Sequence, residues 1–123
     1  GRRMDISKDA AYWKQSLDLE PHPEGGFYRV TYESGDWVDH PRVAARRRAA
    51  TGIYFLIDAP ENFSAFHRIQ SDEMWHFYAG TEMTIHVIAA DGEYSAIRLG
   101  PKHGFQTVVP AGCWFASSVA GPG

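Results

Sequence analysis

The chain has 123 residues, and its 44% hydrophobic and 22% charged composition is that of an ordinary globular protein with one core. A net charge of −3 provides no basic field for a nucleic-acid polymer, and no apolar run is long enough to span a membrane. The one cysteine, Cys113, cannot form an intrachain disulfide, so we expect a reducing, cytoplasmic compartment.

A single short helix is predicted near the N-terminus. Apolar residues recur there at helical spacing, forming one stripe that consists of Ile6, Ala10, Trp13 and Leu17. Ser7 is the predicted N-cap, with Asp9 in the first turn. The helix must end before the Pro-His-Pro sequence at 21–23, because proline disfavours helical geometry in the residue before it. The Glu-Gly-Gly sequence at 24–26 then predicts a turn.

The rest of the chain is dominated by strand-like stretches rich in β-branched and aromatic residues. They cover residues 27–33, 52–58, 62–68, 73–79, 82–89, 94–99, 105–109 and 113–119. Glycine and proline turn signals separate them at short intervals, which is typical of an antiparallel sandwich or barrel. We therefore predict an all-β fold in which residues 5–119 form one domain, with residues 1–4 as an expression remnant and start.

Residues 34–50 carry a different composition, with glycine, proline and four arginines, and are predicted to form a long loop or flap. The arginines are Arg42, Arg46, Arg47 and Arg48. They could hold an anionic ligand, and a solvated loop explains them equally well.

In residues 73–79 both faces of the predicted strand are apolar or aromatic. One face carries Glu73, Trp75 and Phe77, and the other carries Met74, His76 and Tyr78. Such a strand is expected to be covered on both sides. This fits one face lining a barrel and the other meeting the helix or a second subunit.

The spacing of His67, Glu73 and Gly80 resembles the first motif of the cupin superfamily, although Ile69 stands in place of that motif's second histidine. The second cupin motif is resembled by Gly104, Pro110 and Gly112. Two of its positions differ, since Phe115 stands where the motif has histidine and Val119 where it has asparagine.

Together with residues 19–29 and 71–76, these motifs resemble one uncharacterised family of single-domain cupins. The resemblance implies a jelly-roll type antiparallel β-barrel with a short N-terminal helix, usually a homodimer. The implied barrel is similar in shape to those of deoxysugar-nucleotide epimerases and auxin-binding-type cupins. Family members generally continue past the second motif, so the C-terminal strand of the family pattern is missing here.

A histidine and a carboxylate at this position can perform acid–base chemistry without a metal, because imidazole titrates near neutrality and the carboxylate fixes its tautomer. We therefore predict His67 and Glu73 as the catalytic residues if the protein is an epimerase or isomerase, with Tyr28 or Tyr54 returning the proton. The alternative is that His67 and Glu73 only hydrogen-bond each other inside a polar end of the barrel.

A catalytic metal generally needs three protein ligands. The motif leaves His67 and Glu73, and His86 is the third candidate, from the next strand. We predict no metal or other cofactor, and a metal-dependent enzyme is the second alternative.

Our main interpretation is a protein that binds a small molecule in the barrel lumen, such as a nucleotide or nucleotide sugar. An apolar lumen with aromatic walls and a few polar anchors suits such a ligand. The predicted ligand-binding residues are Trp75, Phe77, Glu24, Arg29, Tyr54 and Trp114. The tryptophans and phenylalanines, Phe115 included, could equally belong to the core. We expect a homodimer with no nucleic-acid polymer or membrane as partner.

Overall fold

The structure is a computed structural model that describes residues 9–39, 46–58 and 63–119. Those residues contain one helix, α1 (Ala10–Ser16), and strands that in chain order are β1 (Glu20–Pro21), β2 (Phe27–Glu33), β3 (Trp37–Asp39), β4 (Arg46–Arg48), β5 (Thr51–Leu56), β6 (Phe63–Arg68), β7 (Glu73–His76), β8 (Met83–Ile88), β9 (Tyr94–Leu99), β10 (Gln106–Val109) and β11 (Trp114–Val119).

The helix is capped by Asp9, whose carboxylate accepts a hydrogen bond of 3.0 Å from the backbone N–H of Tyr12. The N-cap expected at Ser7 lies outside the described residues, and Asp9 has the capping role instead of a place in the first turn. Lys14 fixes the helix against the sheet, with Nζ 2.8 Å from Asp58 Oδ2 and 3.9 Å above the Phe27 ring. No helix in the described part of the chain is long and apolar enough to cross a membrane.

The strands pair antiparallel throughout, which confirms the predicted all-β, jelly-roll type fold class. Four strands form one sheet in the order β6-β11-β8-β9, and three form another in the order β1-β2-β5. Strands β7 and β10 pair with each other, as do β3 and β4. Among the described strands these sheets do not join into one closed barrel.

The core lies on one face of the four-stranded sheet. Strand β8 shows the predicted alternation, because Ile85 and Val87 are buried while Thr84 and His86 on the other face are only partly covered. Its neighbour β11 adds Phe115, which is paired with Val87 and is 1% exposed. Phe115 thus continues the apolar face of β8 onto β11, while the buried Ser117 lies opposite Ile85.

The segment predicted as a loop at 34–50 contains a two-stranded hairpin, so that prediction is wrong for its described part. Trp37 is paired with Arg48, whose guanidinium lies 4.7 Å from the centre of the Trp37 ring. Arg48 Nη1 also donates a hydrogen bond of 2.7 Å to the Ser34 carbonyl. These cross-strand contacts stabilise an arginine-rich strand that composition alone does not indicate. Arg42 lies outside the described residues.

Among residues 9–39, 46–58 and 63–119, strand β7 is covered on one face only. Glu73 and Trp75 are partly buried, whereas Met74 and Tyr78 are 52% and 77% exposed. The helix does not cover the second face, since α1 packs against β5. The described residues therefore do not provide the expected burial on both sides of this strand.

Candidate functional site

The predicted catalytic pair, His67 on β6 and Glu73 at the start of β7, lines a cavity of about 1420 Å³. The cavity wall also includes Phe55 from β5, Trp75 from β7 and Phe115 from β11. A polar pair is thus set among aromatic side chains, an arrangement that suits a partly apolar ligand with a few polar anchors.

His67 has one ring nitrogen held by the backbone. Its Nδ1 lies 2.9 Å from the carbonyl oxygen of Ala65, and since a carbonyl can only accept, Nδ1 carries the proton. In the neutral ring, Nε2 is therefore left as an acceptor or base. The ring itself packs 4.3 Å from the centre of Phe115, its cross-strand partner.

Glu73 has its pKa raised above the usual value by desolvation, because the carboxyl is largely buried. The indole N–H of Trp75 and the nearby charge of His67 act in the opposite direction and lower that pKa. No hydrogen bond or ion pair joins His67 and Glu73, although both lie within the described residues. The alternative in which the two only hydrogen-bond each other is not what the structure shows.

Trp75 presents a buried polar atom without a partner. Its indole Nε1 is inaccessible to solvent and, although close enough to lower the pKa of Glu73, makes no hydrogen bond of acceptable geometry. The ring is fixed edge-on between Phe55 and Phe115, at centroid distances of 6.0 and 6.3 Å. A buried N–H of this kind costs about 1–3 kcal/mol unless something accepts from it.

His22 is a cavity residue that the sequence did not indicate as functional. Its ring lies 6.4 Å from that of His67 and packs edge-on against Tyr28 and Phe55. The backbone N–H of Glu24 donates a hydrogen bond of 3.1 Å to His22 Nδ1. A donor at Nδ1 places the proton of the neutral ring on Nε2, the opposite tautomer to that of His67.

Two glycines explain how His22 reaches this position. Gly25 and Gly26 have positive φ angles of 111° and 82°, which a side chain would strain. A Cβ at Gly25 would also lie 2.8 Å from the carbonyl oxygen of Phe63 on β6. Because there is no side chain here, the turn packs directly on β6, and Ala65 N–H donates a hydrogen bond of 2.8 Å to the Glu24 carbonyl. The turn predicted at 24–26 is thus present.

The other predicted ligand-binding residues divide into two groups. Phe77 and Tyr54 line the cavity with Trp75. The remaining three, Glu24, Arg29 and Trp114, are not brought into it. Glu24 Oε1 lies 3.4 Å from His22 Nδ1, Arg29 pairs with Asp18 at 2.9 Å, and Trp114 is exposed with Arg68 over its ring.

The third metal-ligand candidate, His86, lies on the opposite face of the four-stranded sheet from His67. Val87 shares the face of Phe115 and His67, and His86 is the next residue along the strand. Its two ring nitrogens are hydrogen-bonded to Tyr94 Oη at 2.8 Å and Ser118 Oγ at 3.0 Å. Within residues 9–39, 46–58 and 63–119, no three histidine, cysteine or acidic side chains are grouped to hold a metal ion. The candidate set does not fit a metal.

The arginines of β4 lie along the same cavity. Arg46, Arg47 and Arg48 all contribute to its lining. Arg48 Nε is 3.5 Å from Glu33 Oε2, and Arg46 Nε is 3.9 Å from Asp39 Oδ1. These weak, partly exposed ion pairs leave the arginines able to exchange their partners for an anionic group of a ligand.

Comparison with known proteins agrees with this fold. The family described as "Cupin superfamily (DUF985)" matches residues 11–123. A hypothetical protein from Leishmania major has a similar solved structure, with a TM-score of 0.85, 38% identity, and coverage of 94% of this chain and 72% of that one. A protein from Shewanella oneidensis solved by X-ray crystallography gives a TM-score of 0.81 with 38% identity and the same coverage of 94% and 72%.

No curated protein matches the chain significantly. The family match extends over most of the sequence and includes both motif regions around Glu73 and Gly112. The chain therefore belongs to the cupin superfamily, in the family described as DUF985.

Proposed function

We propose that the protein binds a small organic molecule in its cavity, with a polar end at His67 and Glu73 and a planar or apolar part among the aromatic side chains. The observation that carries this proposal is the cavity of about 1420 Å³, in which His67 and Glu73 lie beside Phe55 and Trp75. A cavity with apolar walls and a few polar groups is the usual form of a small-molecule site.

The ligand class that the cavity supports best is a nucleotide or nucleotide sugar. The arginines of β4 would meet the phosphates, since guanidinium groups suit phosphate oxygens. Phe55 and Trp75 would face the base or sugar, because aromatic rings pack well on planar groups. The motif resemblance, which implies a barrel similar in shape to deoxysugar-nucleotide epimerases, supports the same class.

Calorimetric titration with a panel of nucleotides and nucleotide sugars tests this proposal. We expect saturable binding by at least one compound and a roughly ten-fold loss of affinity in Trp75→Leu, which removes an aromatic wall of the cavity. Trp114→Leu is the matched control, because Trp114 is exposed and outside the cavity. The absence of binding by every compound would overturn the nucleotide proposal.

The second candidate function is an epimerase or isomerase in which His67 removes a proton next to a carbonyl. It is favoured by the His67 tautomer, because Nδ1–H is held by Ala65 and Nε2 is free to act as the base. The test uses NMR in D2O to measure whether a hydrogen on a carbon atom of the bound sugar exchanges for deuterium. Exchange that is lost in His67→Ala, with binding mostly retained, supports the enzyme; binding without exchange supports a binding or sensing protein.

A further inference from the structure

We infer that His22 and His67 act as a donor and acceptor pair of opposite tautomers, and that they select a ligand with a hydroxyl adjacent to a carbonyl. This inference rests on the proposed binding function of the cavity and specifies which polar group the ligand carries. Sugars in their keto or open-chain forms and hydroxy ketones have this group.

The His67 half of the pair is an acceptor. The Ala65 carbonyl, 2.9 Å from Nδ1, keeps the proton on that nitrogen, so Nε2 of the neutral ring has only a lone pair to offer. No hydrogen-bond partner for Nε2 is found in the part of the chain that the structure describes. A ligand O–H or N–H is the group that this nitrogen can bind.

The His22 half is a donor. The Glu24 amide N–H, 3.1 Å from Nδ1, needs the lone pair of that nitrogen, so the proton lies on Nε2. A Glu24 carboxylate oxygen also lies 3.4 Å from that nitrogen. The amide hydrogen bond leaves Nε2–H as the donor that His22 offers to a ligand.

The two rings together define the ligand's polar pattern. The rings lie 6.4 Å apart between centroids, a gap that one small polar group of a ligand can span. His22 Nε2–H offers a donor, and His67 Nε2 offers an acceptor. A carbonyl oxygen accepts from His22, and the neighbouring hydroxyl donates to His67. A plain ketone or an ether lacks the second contact.

Nitrogen NMR of the free protein tests the tautomers directly. In uniformly 15N-labelled protein at pH 8, we expect the neutral His67 ring to be protonated at Nδ1 and the neutral His22 ring at Nε2. His67→Gln and His22→Gln identify the two spin systems. The same tautomer in both rings, or a charged His22 at this pH, would overturn the inference without affecting the proposed function.

Three fragments that share a planar ring test the ligand class. Chemical-shift titration with 2-hydroxyacetophenone, acetophenone and 2-methoxyacetophenone compares a hydroxy ketone with analogues that lack the hydroxyl donor. We expect the hydroxy ketone to bind at least ten-fold more tightly than either analogue. This preference should disappear in His67→Phe, and His22→Phe should weaken the hydroxy ketone and acetophenone about equally.

The outcomes separate the inference from the function on which it rests. Binding of all three fragments with equal affinity would overturn the hydroxyl selection and leave a small-molecule cavity in place. Failure of the fragments and of the nucleotide panel to bind would overturn both proposals. A preference that survives in His67→Phe would contradict the acceptor role of that ring.

Discussion

Glu73 is the residue whose charge depends most on its surroundings. Its ordinary pKa is 4.5, and desolvation by burial raises it in the folded protein, with Trp75 and His67 opposing part of that change. The folded state therefore holds this proton more tightly than the unfolded state does. The contribution to stability is complete below the unfolded pKa and is lost as the pH rises through the raised folded pKa.

Replacing Glu73 with glutamine removes this titration and keeps the shape of the side chain. We expect Glu73→Gln to gain stability relative to the wild type as the pH rises from 4 to 7.5, measured by urea unfolding at both values. The matched control is Glu93→Gln, since Glu93 is exposed and its side chain is not in the cavity. A wild-type protein that becomes more stable than Glu73→Gln at higher pH would contradict the raised pKa.

Ile69 is one of the positions at which this chain departs from the first cupin motif, which also has an upstream glycine that is absent here. It lines the cavity, two positions after His67 and four before Glu73. A histidine there would complete a set of two imidazoles and one carboxylate, which suits first-row metal ions. We expect Ile69→His to bind Co²⁺ at least ten-fold more tightly than the wild type in calorimetric titrations.

The variant Val108→His provides the comparison for this gain. Val108 is 43% exposed and is paired with Met74, so it shares a strand face with neither His67 nor Glu73. Equal Co²⁺ affinity in Val108→His and Ile69→His would show that the added imidazole alone causes the binding. That result would contradict the alignment of Ile69 with the motif histidine.

At the scale of elements, the turn that follows β1 controls the site because it positions His22 against β6. Gly25→Ala introduces a side chain at φ 111° with only 2.8 Å to the Phe63 carbonyl oxygen. We expect a loss of about 2–4 kcal/mol in the free energy of unfolding, larger than backbone strain alone, which is on the order of 1 kcal/mol. This loss is measured by urea denaturation that is monitored by tryptophan fluorescence.

Gly92→Ala separates the clash from the strain. Gly92 also has a positive φ, 88°, and nothing lies within 4 Å of where its Cβ would be. We expect this variant to lose only about 1 kcal/mol. Equal losses in the two variants would show that contact with β6 does not constrain the turn.

The sequence predicts the bounds of some strands correctly and misses other elements. Strands 27–33 and 94–99 were predicted with the observed bounds, because alternation and flanking turn signals are local properties. The hairpin of β3 and β4 was missed, since its stability comes from cross-strand contacts such as Arg48 with Trp37. The N-cap was placed two residues early because Ser7 and Asp9 are equally good caps by composition.

In the candidate site, too, residues within a local motif were predicted and a residue that depends on a long-range contact was missed. His67 and Glu73 were found because a motif with fixed spacing contains both. His22 was missed because it joins them through a long-range contact, the packing of Gly25 on β6. A histidine two residues before Glu-Gly-Gly is the local signal. It indicates a site residue only when the turn is known to lie beside His67.

At the scale of the whole molecule, the exposed face of β7 and β10 is the feature that a single chain leaves unexplained. Met74 and Val108 are paired across these strands and are 52% and 43% exposed, with Tyr78 following at 77%. The sequence predicted that this face is covered by the helix or by a second subunit. Because α1 packs on β5, we propose that a second subunit covers this face.

We therefore predict a homodimer that buries this face, with a mass in light scattering twice that of the 13.8 kDa chain. Met74→Glu should shift the protein to a monomer at micromolar concentration, because a dimer would bury the added carboxylates without partners. Val30→Glu is the control, since Val30 is equally exposed but lies on β2 in another sheet. A dimer that survives Met74→Glu and dissociates in Val30→Glu would place the interface on the three-stranded sheet instead.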